Sequence, residues 1–408
     1  MKVTIDRLGH LGDGVGTTAN GVVFVPGALP GESVVGELVG DKLTDVRIVT
    51  PSIHRVRPPC VHARTCGGCQ LQHVSDSFVA DWKVQVVRSA LEGQGLAATF
   101  RPIVTSPSSS RRRATLSARR TKGGVLLGFH ARGSDNLVSV PECELLHPDL
   151  IKAFDGLAEI VRIAGSRTSE VSLTVTRSLA GVDVVVAGGK PLDAALRMDL
   201  ARILETHRFA RLTWGEETVA LRDHPIQRFG RARVTPPPGA FLQATEAGEA
   251  ALVAAVRDAL GPQKRVIDLF AGLGTFAFPL AAGSEVLAVE GDAAMTAALQ
   301  KALRQAEGLH KVTVETRDLF RRPLEPDEFK GATGVILDPP RAGAESQTER
   351  LAQSAVPVIA YVSCNPVTFA RDCRALVLAG YMLEWVQVID QFRWSTHVEL
   401  VACLRRAS

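Results

Sequence analysis

The sequence predicts a multidomain α/β chain: a small β-barrel, a central α+β domain with a metal-cluster site, and a C-terminal doubly wound, Rossmann-like domain. Three observations carry this. Short strands between glycine turns fill residues 1–55, a cysteine cluster opens residues 56–240, and apolar strands alternate with helices through residues 241–408. At 408 residues the chain is long enough for two or three cores.

Each part has its own pattern. Residues 1–55 contain "KVTIDRLG", "GVVFVPGALPGESVVGELVG" and "TDVRIVT", alternating apolar and polar as in a small barrel, until "RVRPPC" breaks the pattern. The middle holds the helix "DSFVADWKVQVVRSALEGQG", with Phe78, Trp82, Val86 and Leu91 on one face. It continues through strands such as "RRATLSARR" and "GVDVVVAGG" and the helix "DAALRMDLARILETH". After Phe241 come the helix "TEAGEAALVAAVRDALG", the strand "RVIDLFAG", the helix "TFAFPLAAG" and the strand "EVLAVEG". The helix "AAMTAALQKALRQAEG" and the strands "VTVETRD", "GVILDPP" and "VIAYVSC" follow, implying a parallel sheet covered on both faces.

Composition narrows the class. Hydrophobic content of 46% and charged content of 22% are those of an ordinary globular chain. The N-terminus lacks a signal-peptide core, and no apolar run reaches a membrane span, so a cytoplasmic protein is expected. Gly93–Ser134 has no acidic residue but carries Arg101, Arg111, Arg112, Arg113, Arg119, Arg120, Lys122 and Arg132, which suits a polyanion. Seven unevenly spaced cysteines do not suit a disulfide framework and point to a metal or to chemistry.

Cys60-x5-Cys66-Gly-Gly-Cys69 offers three thiolates, and Cys143 completes four. Four thiolates suit structural zinc or an iron–sulfur cluster. One C-x2-C hook with two outliers, rather than two hooks, favours [4Fe–4S]. In "DLFAGLGTF", Asp268, Gly272 and Gly274 form a side-chain-poor turn at a strand end, with no third glycine at the pyrophosphate position. Glu290 ends the next strand, where a carboxylate reaches ribose hydroxyls, and Asp318 ends the third.

Cys364 lies where "VIAYVS" meets "CNPVTFARDC". Pro366 suits a first helical position, and a helix N-terminus lowers a thiol's pKa. Alone, Cys364 fits packing as well as nucleophilic chemistry; Cys373, inside the helix, reads as packing. "LDPPR" puts Arg341 where an amine methylase carries an aromatic, which leaves carbon methylation open. A thiolate adding to C6 of a pyrimidine activates C5, and the C5 proton then needs a base, for which Glu399 beside His397 is the candidate.

Together these motifs resemble the RNA 5-methyluridine (uracil-5) methyltransferase family, over almost the whole chain. "GDGVG…VPGALPGE" is similar to its TRAM domain, an OB-like RNA-binding barrel. The Cys60, Cys66, Cys69 and Cys143 set is similar to its [4Fe–4S] site. "FLQAT", "DLFAGLGTF", "DPPRAGA" and "SCNP" resemble its class I methyltransferase motifs in order. The resemblance implies S-adenosyl-L-methionine as cofactor, held by Gln243, Phe270, Gly272, Gly274, Thr275, Glu290, Asp318 and Asp338. It implies Cys364 as nucleophile and Glu399 as base. Thr275 and Thr245 replace the family's usual asparagines, and Arg393 and Ser395 replace Pro and Thr in the ending "FRWSTHVE". TRAM domain plus cluster favours 23S ribosomal RNA as partner, methylated by a monomer on a flipped-out uridine. Other readings are a tRNA enzyme, a 5-methylcytidine enzyme, and a non-catalytic RNA-binding assembly factor, the last on the altered ending.

Overall fold

The computed structural model describes residues 1–19 and 21–407. The N-terminal strands are β1 (Lys2–Thr4), β2 (Arg7–Leu8), β3 (Gly14–Thr18), β4 (Gly21–Val25), β5 (Ser33–Val39) and β6 (Lys42–Thr50). They form one sheet in the order β1-β5-β6-β4-β3-β2. Its two end strands are successive pieces of one chain run. That run also bonds across the sheet, the Asp6 amide donating to Val15 O at 2.8 Å. A Cβ on Gly16 would lie 2.6 Å from Thr4 O, so glycine permits this approach. Val3, Ile5, Val23, Val25, Val34 and Leu43 fill the interior. Glu32, fully buried, accepts the Arg55 guanidinium at 2.6 and 2.8 Å and fastens the sheet to the next segment.

The helix α1 (Asp76–Glu92) buries Val79, Lys83, Val87 and Leu91, a different row from the one its aromatics suggest. Phe78 and Trp82 are half-buried and turn instead toward Leu8, Leu29 and Leu71. The sequence pattern misses the deeper row because Lys83, a charged residue, is its second member. β7 (Thr99–Thr105) does not join the middle sheet; it docks on the edge of the C-terminal one.

The middle sheet comprises β8 (Arg113–Arg120), β9 (Val125–His130), β10 (Leu137–Ser139), β11 (Val171–Ser178), β12 (Gly181–Ala187), β13 (Arg211–Trp214) and β14 (Glu217–Leu221). The helices α2 (Pro148–Lys152), α3 (Phe154–Ala164) and α4 (Ala194–His207) accompany it, and α3 and α4 bury Leu157, Ile160, Leu200 and Ile203 in its core. The basic run Arg101–Arg132 is largely spent inside the protein. Arg112 is buried and pairs with Glu249 at 2.5 Å, Arg113 donates to Gly239 O at 3.0 Å, and Arg101 lies over the Trp385 ring. Only part of this stretch, including the exposed Lys122, remains to face a polyanion.

A hairpin, β15 (Gln227–Phe229) and β16 (Ala232–Val234), leads into α5 (Glu246–Leu260). Then follow β17 (Arg265–Leu269), α6 (Ala277–Leu280), β18 (Glu285–Glu290), α7 (Ala293–Leu303), β19 (Val312–Thr316), β20 (Gly334–Leu337) and α8 (Glu345–Ala352). The chain ends with β21 (Val358–Ser363), α9 (Pro366–Leu378), β22 (Tyr381–Asp390) and β23 (Leu400–Arg406). The eight strands run β19-β18-β17-β20-β21-β23-β22-β7. The first five are parallel, as the alternating pattern predicts, and β23 is antiparallel to both β21 and β22. Helices cover both faces. Cys373 is fully buried beside Tyr361 and Phe369 in one of the two resulting cores. No described helix is long and apolar enough to cross a membrane.

Candidate active site

Strand register places the candidate residues side by side. Leu269 of β17 stands opposite Val289 and Leu337, so Phe270, Glu290 and Asp338 follow on three adjacent strands. Ser363 of β21 stands opposite Leu400 of β23. Cys364 and Glu399 are therefore the next residues out on neighbouring strands.

Asn365 caps α9 by accepting the Val367 amide at 3.1 Å, and Pro366 takes the first helical position. Asn365 Nδ2 and Thr368 Oγ1 donate to Arg341 O at 2.8 and 3.3 Å, fastening the cysteine elbow to the Asp338 loop. The sequence favours a thiol lowered by the helix start. The structure reverses the sign: burial, then the charges of Glu399 and Asp338, push Cys364 up to about 11.

Glu399 is 4% exposed. Burial first, then the Asp338 charge, raise its carboxyl to about 8. Burial and Glu290 raise Asp338 to about 7. Gln391 Nε2 donates to Glu399 Oε2 at 3.1 Å and to Gln243 Oε1 at 2.5 Å, while its Oε1 accepts the Ala244 amide at 2.7 Å. One amide side chain thus joins Glu399 to Gln243. His397 packs against Phe392 and is lowered by burial and nearby cations, so it is neutral at pH 7.

The glycine turn is shaped for close approach. Gly272 and Gly274 have φ of 55° and 86°. A Cβ on Gly274 would lie 2.6 Å from the Phe278 ring, whereas one on Gly272 would meet nothing within 4 Å. Packing demands glycine at Gly274, and open space at Gly272 leaves room for a ligand. Glu290 clasps this turn, accepting the Gly272 and Asp292 amides at 2.9 Å each. Thr275 sits half-buried at the turn's end. Phe270, strained at φ 62°, holds its ring 5.5 Å from Phe320. Asp318 is exposed and caps its own loop by accepting the Phe320 amide at 3.0 Å, two residues past Thr316, which stands opposite Glu290. Asp268, fully buried within β17, is raised by burial and by Asp338.

Sequence reading missed Gln391 and Phe320. Their signals are faint: a glutamine between two apolar strands, and an exposed aromatic two residues past a strand-end aspartate. The departures have local accounts. Thr245 caps α5, accepting the Gly248 amide at 2.9 Å, and Ser395 Oγ accepts the His397 amide at 3.3 Å. Arg393 pairs with Asp76 at 2.5 Å.

Cys60, Cys66, Cys69 and Cys143 line a separate small cavity with Phe129, Val140 and Leu145. All four are free thiols, and burial followed by neighbouring thiols raises Cys69 to about 12, with the Gln72 contact opposing. A Cβ on Gly67 would lie 2.7 Å from His130 O, so glycine lets the loop lie against β9. Among the described residues, no three His, Cys, Asp or Glu side chains reach the spacing of a single metal ion. The donor set itself, four soft thiols around one apolar-walled cavity, fits a bulkier thiophilic group.

Residues 237–407 match the tRNA (Uracil-5-)-methyltransferase family model, and residues 1–35 match the TRAM domain. An uncharacterised RNA methyltransferase of Mesorhizobium japonicum is 43% identical over 403 residues, 99% of this chain and 97% of the relative. The 23S rRNA (uracil(1939)-C(5))-methyltransferase RlmD of Marinomonas sp. is 32% identical, over 98% of this chain and 94% of its own. The Pyrococcus abyssi tRNA (uracil-54, C5)-methyltransferase, solved with S-adenosyl-L-homocysteine, shares the fold. Its TM-score is 0.77 at 24% identity, over 99% of both chains. The chain belongs to the family of S-adenosylmethionine-dependent RNA (uracil-5-)-methyltransferases.

Proposed function

We propose that the enzyme methylates C5 of one uridine in 23S ribosomal RNA through a covalent Cys364 adduct. The observation that carries the covalent route is the β21–β23 register, which sets Cys364 beside Glu399. The Cys364 thiolate adds to C6, and the resulting C5 enolate is methylated. Glu399 takes the C5 proton as the C6–sulfur bond breaks and the thiolate returns. S-adenosylmethionine, when bound, supplies the methyl group from its sulfonium. The Gly272 turn, Glu290, Asp338, Gln243 and Thr275 are proposed to hold it, with Phe270 and Phe320 flanking the adenine and Asp318 at the outer end. Near-full-length similarity to RlmD favours ribosomal RNA over tRNA. Mass-spectrometric mapping of 5-methyluridine in rRNA and tRNA from a strain lacking the enzyme tests this. One lost 23S site is expected; loss from tRNA alone would overturn the target.

The N-terminal sheet is read as a closed OB-like barrel that binds RNA. Residues 1–55, 56–240 and 241–408 stand as its working division, except that α1 and β7 serve the catalytic sheet. The four cysteines would hold a [4Fe–4S] cluster, which would tie the Cys60–Cys69 loop to Cys143. Anaerobically purified protein should carry about four irons per chain, and C69A should not; an iron-free protein containing zinc would sink this assignment.

Cofactor affinity should depend on pH. Asp338 and Glu399 are raised to about 7 and about 8, so both are partly protonated near pH 7. A cationic ligand binds the ionised carboxylates, so binding lowers these pKa values and releases protons. S-adenosylmethionine should therefore bind more tightly at pH 8 than at pH 6, by several-fold. Calorimetry in two buffers of different ionisation enthalpy checks the sign. Proton uptake would contradict it.

A further inference from the structure

The stretch that carries Glu399 is not held by the catalytic sheet alone. Between β22 and β23 the chain runs irregularly from Gln391 to Glu399. Lys83 of α1, fully buried, donates to Asp390 Oδ1 at 2.6 Å and to Phe392 O at 3.1 Å. The same Asp390 oxygen accepts the Phe392 amide at 3.1 Å. Gln391, the residue between them, carries the amide that contacts Glu399 and Gln243. Further along, Trp394 is buried with φ of 60°, and its carbonyl accepts the Gln70 and Leu71 amides at 2.9 Å each. Those two residues directly follow Cys69. Thr396 packs against Gly12, close enough that a Cβ there would lie 2.9 Å from Thr396 Cγ2.

A buried ammonium is costly unless it is both paired and hydrogen-bonded, and one carboxylate would use only part of its donor capacity. Lys83 divides its bonds between the side chain and the main chain of one three-residue turn. That arrangement fixes the turn's shape more than it adds to stability. We propose that Lys83 is a positioning residue for methyl transfer: it sets the Asp390–Phe392 turn, and thereby the Gln391 amide that aims the Glu399 carboxylate. The proposal rests on reading Glu399 as the base.

Base loss and Lys83 loss should then stall the reaction at the same point, after methylation and before proton removal. The probe is rRNA from a strain lacking the enzyme, with S-adenosylmethionine tritiated on its methyl group. Methyl label that stays on denatured, nuclease-treated protein measures the stalled adduct. Free 5-methyluridine measures turnover. K83M should lose turnover at least about tenfold and accumulate protein-bound label, as E399Q does, with RNA affinity within about twofold of the parent. Should K83M fail to fold because Asp390 is stranded, K83M/D390N removes both charges. It should fold and still trap label, because the bond to Phe392 O is missing. Turnover within about threefold of the parent overturns the proposal. So does lost turnover without trapped label in a folded variant, provided E399Q traps label. If E399Q itself traps none, the reading of Glu399 as base has failed, and the proposal falls with it.

Discussion

C364S should abolish 5-methyluridine formation, with turnover falling about 10⁴-fold or more, the scale on which enzymes lose a covalent nucleophile. The environment makes serine a poor substitute. Burial and the Glu399 and Asp338 charges already hold the thiol at about 11. The same surroundings act on a hydroxyl whose intrinsic pKa is far higher, so no usable alkoxide forms. The side chain is otherwise a light fixture: the elbow is built by Asn365, Pro366 and Ser363, so folding and ligand binding should be nearly unchanged. A 5-fluorouridine RNA gives the sharper measurement. Fluorine at C5 cannot leave as a proton, so the parent should form a denaturant-stable adduct in the presence of cofactor, and C364S none. An adduct that persists in C364S would mean that another residue is the nucleophile.

E399Q should lower turnover by about 10²–10⁴-fold while leaving the first covalent step in place. Glutamine has the same shape and can keep its contact with Gln391, so the loss isolates proton removal. The pH profile adds a second check. A base works deprotonated, and burial with the Asp338 charge raises Glu399 to about 8. In the parent, kcat/KM should therefore climb as pH rises toward 8 and then break. E399Q should lose that break and keep only the slope from the thiol. An unchanged break would assign it to Asp338 or to substrate, and remove Glu399 from the role.

The sequence makes the parallel half of the catalytic sheet legible because four buried strands, β17, β18, β20 and β21, leave short apolar runs that helices interrupt. The Cys364 elbow is legible for a related reason: a strand, a cap and a first-turn proline are local signals. What lies across the sheet is not. The neighbouring position of Cys364 and Glu399 depends on β23 running antiparallel between β21 and β22, a pairing with no short-range signature. Lys83 and Gln391 stay hidden for the same reason. Each is a polar residue whose partner is distant in the chain, 307 residues for Lys83 and 148 for Gln391 with Gln243. Arg112 shows the opposite error: a charge that looks free in sequence is buried on Glu249.

The β7–β22 pair bears on how the enzyme comes into being. β7 lies beside Trp385–Asp390 in parallel register, although nearly 280 residues separate the two strands. During synthesis α1 and β7 emerge early and wait, with the apolar row Val79, Val87 and Leu91 uncovered. Only β22 and β23, which follow every other strand of this sheet in the chain, complete the sheet edge, seat Lys83 on Asp390 and bring Glu399 to Cys364. Long-range closure of this kind is slow and leaves early segments in need of protection. A nascent chain stopped before Leu400 would therefore contain the cofactor turn and the thiol yet have no working base. Methylating competence therefore arrives all at once, when β23 joins the sheet.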